Sequence, residues 1–326
     1  MMKTTTKHVI HSIHKKIPSR WRATILCSGA LALSLFAAIQ ANGQTIYVTD
    51  SLTNSFYSTT PNGTNTTRAT GLNYPAGMTV NSASNFFISN NYGNTISEIN
   101  SNTYAVTPYA SGLNKPSDVA FDSSDNLFVR NEGDGTISKI TPGGVKTTFA
   151  TGLSYYSATN APSGMIFDSL GNLYVGSGLS GGTQNIYKFN AIGTRSTFAT
   201  GNLLNGMAGL AFDSSGNLWV ANLGNNNIIK ITSGGAQSLV TAVPANFAPQ
   251  ALSFDAAGDL FVGTYGPSSN NYKGNLYEMV AGTSSLVVVG TGLPYDVIAA
   301  VTVPEPSGAL LLGVVGTLAL LRRRRR

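Results

Sequence analysis

The sequence predicts an all-β protein: a six-bladed β-propeller with four-stranded antiparallel blades, the last blade closed by strands from both ends of the chain. Three observations predict it. Residues 44–303 of the 326-residue chain repeat with a period of about 40 to 50 residues, the size of a unit holding several strands. Within each unit, short β-branched and aromatic runs alternate with Gly, Asn, Asp and Ser, the composition of strands joined by tight turns. The strands missing after the last repeat are found before the first.

The repeats begin "GLNYPAGMTVNSASNFFISNNYGNTISEI" at Gly71, "GLNKPSDVAFDSSDNLFVRNEGDGTISKI" at Gly112 and "GLSYYSATNAPSGMIFDSLGNLYVGS" at Gly152. They continue with "GNLLNGMAGLAFDSSGNLWVANLGNNNIIKI" at Gly201 and "VPANFAPQALSFDAAGDLFVGTYG" at Val243. In the fourth unit the strands read as Ala208–Phe212, Leu218–Ala221, Ile228–Thr232 and Gln237–Thr241, and four antiparallel strands make one blade. After five such units, Gly292 to Val303 offers one more innermost strand. Its partners are "TIYVTD" (Thr45 to Asp50), "NSFYSTT" (Asn54 to Thr60) and "TNTTRAT" (Thr64 to Thr70), so both termini share the sixth blade. Closure of this kind removes free sheet edges and holds the ring without disulfides.

Asp122, Asp168, Asp213 and Asp255 each follow a phenylalanine (Phe121, Phe167, Phe212, Phe254) at the end of a first strand. Three residues on stands Asp125 or a glycine, Gly171, Gly216 or Gly258. An aspartate that accepts backbone N–H bonds, followed by a residue tolerant of positive φ, is a turn signature. One structural role thus accounts for all four aspartates, and the phenylalanines read as core between blades.

The ends differ from the body. Residues 1–22 are basic without an acid, Ala23 to Ile39 is apolar, and Ala41-Asn42-Gly43 is a small-x-small step. This is the pattern of a secretory signal removed near Gly43. At the other end, Ala309 to Leu321 is an apolar run followed by Arg322, Arg323, Arg324, Arg325 and Arg326. As a helix it would reach about 20 Å, short of a ~30 Å hydrocarbon core, and the arginines would stay on the cytoplasmic side while snorkelling to hold it. The expected organisation is a signal peptide (1–43), a propeller (44–303) and a tail (304–326).

Composition narrows the functions. The formal charge of +6 is a property of the termini: between residues 44 and 303, nine basic residues face thirteen acidic ones. A thinly spread, mildly acidic body argues against a nucleic-acid partner. His8, His11, His14 and Cys27 are the only residues of their types, so a chain cut near Gly43 has neither. That excludes a Ser-His-Asp triad, a cysteine nucleophile, a His or Cys zinc site and any disulfide in the mature protein.

Val303-Pro304-Glu305-Pro306, a short apolar helix and an arginine cluster together resemble the PEP-CTERM sorting signal of Gram-negative bacteria. The resemblance implies processing by signal peptidase and an exosortase-type enzyme that cleaves near Pro304, Glu305 and Pro306. It also implies transient anchoring in the inner membrane, a final place at the surface or outside the cell, and a link to exopolysaccharide and biofilm. "VANLGNNNIIKI" (Val220 to Ile231), "VRNEGDGTISKI" (Val129 to Ile140) and the Gly-Leu-x-x-Pro-x-Gly openings resemble NHL repeats and the gluconolactonase-like six-bladed propellers.

Two rings of positions are expected at the channel mouth. One comprises Gly77, Asp118, Gly164, Gly209, Ala251 and Asp296 in the innermost strands, with only Asp118 and Asp296 charged. The other comprises Asp50, Asn90, Asn131, Ser177, Asn222 and Thr264 after the second strands. Candidate ligand residues are therefore Asp50, Asn90, Asp118, Asn131, Asn222 and Asp296. Such oxygens suit Ca²⁺, the hydroxyls of a sugar, or the capping of loops and channel water.

The main functional expectation is a non-catalytic binder or scaffold whose partner is a polysaccharide or surface protein. The alternative is a metal-dependent lactonase or hydrolase. For that activity the resemblance implies a metal held by Glu, Asn and Asp, the Asp in a Pro-Asp-Gly step. The steps here are Pro75-Ala76-Gly77, Pro116-Ser117-Asp118 and Pro162-Ser163-Gly164, and Asp50 would have to replace the Glu. Asn131 and Asn222 match the Asn ligands.

Overall fold

Among the described residues, twenty-four strands form six four-stranded antiparallel sheets. The computed structural model describes residues 45–59, 64–153, 164–177, 183–267, 273–293 and 300–303. These residues belong to a unit running from Gln44 to Arg326. Blade 1 is β4 (Pro75–Val80), β5 (Phe86–Asn90), β6 (Thr95–Ile99) and β7 (Val106–Ala110). Blade 2 is β8 (Pro116–Phe121), β9 (Leu127–Asn131), β10 (Thr136–Ile140) and β11 (Lys146–Ala150). Blade 3 is β12 (Met165–Phe167), β13 (Leu173–Ser177), β14 (Asn185–Phe189) and β15 (Arg195–Thr200). Blade 4 is β16 (Met207–Phe212), β17 (Leu218–Asn222), β18 (Asn227–Ile231) and β19 (Gln237–Ala242), within a residue of the expected bounds. Blade 5 is β20 (Ala248–Phe254), β21 (Leu260–Tyr265), β22 (Gly274–Met279) and β23 (Val287–Leu293).

Blade 6 joins the ends. β24 (Ala300–Val303) pairs antiparallel with β1 (Thr45–Asp50), followed by β2 (Ser55–Thr59) and β3 (Asn65–Thr70). The register sets Thr45 opposite Val303 and Val48 opposite Ala300. The sheet order β24-β1-β2-β3 is the closure expected from the sequence.

Second strands are buried throughout because they are covered on both faces; Phe86–Asn90, Leu127–Asn131, Leu173–Ser177 and Leu218–Asn222 have no exposed residue. Aromatic rings stitch neighbouring blades. Phe87 meets Phe121, Phe128 meets Phe167, Tyr174 meets Phe212 and Trp219 meets Phe254, each edge-on with centroids 4.8 to 5.5 Å apart. Edge-on pairs add about 0.5–1.5 kcal/mol each to the burial of their area. The phenylalanines before the turn aspartates thus lie in the core between blades.

The turns themselves follow the sequence. Asp122 Oδ1 accepts the N–H of Ser124 and Asn126, Asp168 those of Leu170 and Asn172, Asp213 those of Ser215 and Asn217, and Asp255 those of Ala257 and Asp259. Positive φ falls on Asp125, Gly171, Gly216 and Gly258. Around the channel the first strands approach closely: a Cβ on Gly209 would stand 2.8 Å from Gln250 O and 2.9 Å from Leu252 N. That contact explains why small residues dominate this ring.

Candidate functional site

The channel widens into a cavity of about 390 Å³ between the first strands of blades 1 to 5. Mostly apolar first-strand residues line it, and Asp118 is its one ionisable side chain among the described residues. β8 turns Asp118 inward. Oδ1 accepts the N–H of Val119 at 2.8 Å, and Oδ2 reaches across to the next blade for the N–H of Met165 at 2.5 Å. Burial pushes its pKa up to about 7, opposed by those two N–H bonds and by Arg130, and helped by Glu132.

Arg130 is 1% exposed and is among the largest fully buried side chains of the chain. It projects from β9 toward blade 3, where Nη1 donates to Gly176 O at 2.5 Å. Glu132 follows β9 and is half-buried. Its pKa is raised by burial, with Arg130, Ser117, Lys115 and Asn91 pulling the other way. Asp118, Arg130 and Glu132 thus form one charge cluster at the mouth of blade 2.

Four buried side-chain oxygens lack a hydrogen-bond partner of good geometry among the described residues: Thr49 Oγ1, Asp50 Oδ2, Ser117 Oγ and Gln250 Oε1. Ser117 and Gln250 hold equivalent positions in β8 and β20, three blades apart, and Gln250 lines the channel.

The second expected ring has a different geometry. Asn90 Oδ1 accepts the N–H of Asn73, and its amide donates to Thr95 Oγ1 and Ser97 Oγ. Asn131 repeats this with Asn114, Thr136 and Ser138. Asn222 accepts the N–H of Asn205 and donates to Leu203 O. Asp50 Oδ1 accepts the N–H of Leu52 and Thr53. These side chains fasten the loops of the mouth to their own blades. Of the six candidate residues, Asp118 alone is seen lining the channel; Asp296, Pro304, Glu305, Pro306 and Arg322 to Arg326 lie outside the described residues.

The sequence reading missed Arg130, Glu132, Lys115, Tyr74 and Tyr92. The signal was present as departures from the repeat: Arg130 stands where other units have Ser89, Gly176, Ala221 and Gly263, and Tyr92 where units two and four have Gly133 and Gly224.

The described residues thus form a six-bladed propeller whose channel cavity holds one carboxylate among them, Asp118. Over residues 37–266 the chain matches the SMP-30/gluconolactonase/LRE-like region, and it belongs to that family. No curated protein sequence matches it. Among solved structures it is similar to a chain of the nidogen/laminin complex, with 14% identity and a TM-score of 0.66 over 80% of this chain and 98% of that one. It is similar also to a gluconolactonase from Xanthomonas campestris, with 18% identity and a TM-score of 0.57 over 68% and 79% of the two chains. A third is a catalytically inactive variant of virginiamycin B lyase from Staphylococcus aureus, with 16% identity and a TM-score of 0.54 over 77% and 85%.

A divalent metal is the group the gluconolactonase-like fold implies, and the described residues do not fit it. The steps that would supply the aspartate carry Ala76, Ser117 and Ser163. Asn131 and Asn222 already use both ends of their amides. Among the described residues, no three His, Cys, Asp or Glu side chains gather where they would hold an ion.

Proposed function

We propose that this propeller is a non-catalytic binding module of the cell surface or extracellular matrix, with its ligand held at the mouth of blades 1 and 2. The observation that carries the reading is the chemistry of the Pro-x-Gly-like steps: neutral Ala76, Ser117 and Ser163 stand where the metal centre of a lactonase would need its aspartate. The leader and the Pro304-Glu305-Pro306 tail support export and sorting. Replacing those three residues with alanine is expected to leave an unprocessed C-terminus and a protein retained in the membrane.

The second reading is a lactonase. Family membership and the perturbed Asp118, a pattern frequent at catalytic sites, favour it. Lactone hydrolysis by the purified chain with added Ca²⁺, Mn²⁺ or Zn²⁺ separates the two. The binding reading expects no turnover. Turnover that disappears in Asp118→Asn or Asp50→Ala would establish the enzyme instead.

A further inference from the structure

The mouth of blade 1 carries a feature that the fold does not require. Tyr74 and Tyr92 stack face to face with ring centroids 4.1 Å apart and planes 14° from parallel. Tyr92 is 59% exposed. Tyr74 precedes β4 and adopts a φ of +54°, a left-handed conformation that is strained for a bulky side chain. It is held there by its N–H on Asn54 Oδ1 at 2.7 Å and by its carbonyl on the N–H of Asn91 at 2.9 Å.

The same backbone bracket exists elsewhere without the rings. In blade 2, Lys115 O accepts the N–H of Glu132; in blade 4, Gly206 O accepts the N–H of Leu223. Gly206 takes the position of Tyr74 with a φ of +61°, and Gly133 and Gly224 take that of Tyr92. Glycine therefore builds this loop at no steric cost. Blade 1 accepts strain to display two aromatic rings, and blade 2 does the same to display Lys115 at a φ of +49°.

The neighbours of the rings define what they suit. Asn91, bonded in sequence to Tyr92, anchors its amide on Pro116 O. Glu132 lies against Asn91, Ser117 and Lys115. Ser117 Oγ is buried and has no hydrogen-bond partner of good geometry. Beside the aromatic face of blade 1, blade 2 thus offers a half-buried carboxylate and a single exposed ammonium, which offset each other. A phosphorylated ligand would find too little positive charge here. A peptide would need a larger apolar surface or a free strand edge. A ring with an apolar face and hydroxyls around its rim suits both the aromatic face and the two charged groups.

The geometry points to a saccharide site on blades 1 and 2. A neutral pyranose stacks its C–H face on Tyr92, Tyr74 backs that ring, and the sugar hydroxyls bond to Glu132 and Lys115. This inference rests on the binding reading and names its ligand class.

The test is isothermal titration of the full chain with cellohexaose, laminarihexaose and maltohexaose, repeated with Tyr92→Ala, Tyr92→Phe and Tyr74→Gly. At least one glycan is expected to bind. Tyr92→Ala should weaken it about tenfold or more, the scale of one lost stacking partner, and Tyr92→Phe should retain it. Tyr74→Gly is the control against misfolding, because it should bind more weakly while melting at the same temperature or higher. Binding that both tyrosine truncations leave intact overturns this site but keeps the binding reading. Failure of all three glycans overturns the saccharide inference; lactone turnover under the conditions above is what overturns the binding reading itself.

Discussion

The two ends of the ring obey different rules. At the turn end, where first strands pass into second strands, four blades repeat one device: an aspartate that accepts two backbone N–H groups, with a positive φ three residues later. At the mouth end the backbone repeats equally well, yet Tyr74, Lys115 and Gly206 share one position, and Tyr92, Gly133 and Gly224 another. Repetition at one end and divergence at the other separate residues that build the ring from residues that equip it. Side chains that hold a turn are constrained by backbone geometry; those that decorate an already bracketed loop are not.

Charge sharpens the contrast within the turn end. Asp122, Asp168 and Asp213 pair with Lys139, Lys188 and Lys230 at 3.8, 3.8 and 3.4 Å, and each lysine also lies over an aromatic ring. Burial opposes ionisation of Asp213, but hydrogen bonds from Trp219 and Asn217, together with Lys230, outweigh it and hold its pKa below the usual carboxylate range. In blade 5 the lysine is replaced by Glu278 and the asparagine by Asp259. The pKa of Glu278 rises through burial first and then through Asp259 and Asp255. The turn still forms, so its backbone depends on the aspartate and the glycine rather than on the ion pair.

The largest expected effect belongs to the turn end. Asp213→Ala should lower the unfolding free energy by about 2–3 kcal/mol in urea titration, since it orphans two backbone N–H groups and the indole of Trp219. A cost near zero would erase the distinction between the two ends.

Asp118 comes next. Its folded pKa, about 7, is above the ordinary value of 3.8, so the folded chain holds a proton the unfolded chain has released. Stability should therefore rise as the pH falls through 7 toward 4, by on the order of 1 kcal/mol once partial exposure is allowed for. Asp118→Asn should flatten that part of the stability–pH profile while leaving the acid limb in place. The acid limb belongs to Asp168 and Asp213, whose lowered pKa values contribute stability that is lost as the pH falls through them.

Tyr74→Gly should leave the melting temperature unchanged or raise stability by up to about 1 kcal/mol, the reverse of a turn-end substitution. Smallest of all, Glu278→Lys should add about 0.5 kcal/mol by converting a carboxylate cluster into a pair like Lys230–Asp213, and that gain should shrink in high salt.

Much of this was legible in the order of residues. The period, the turn aspartates and the complementary first and last segments specify six blades, because turn chemistry and strand alternation are local and repeat visibly. The candidate site was less legible. Asn90, Asn131 and Asn222 look like a ring of free oxygens in the sequence, and the folded chain shows each amide tied to the loop before its blade. Arg130 and Glu132 look like ordinary surface charges in a loop-flanked strand, yet they meet Asp118 at the mouth.

Sequence alone determined the ring, its closure by β24 and β1, and the absence of His and Cys from residue 44 onward. Only the tertiary structure decided which polar side chains face the channel and which fasten loops. A repeat specifies each blade through contacts a few residues apart, whereas the mouth is assembled from positions roughly one blade apart in the chain, whose mutual distances no local pattern encodes.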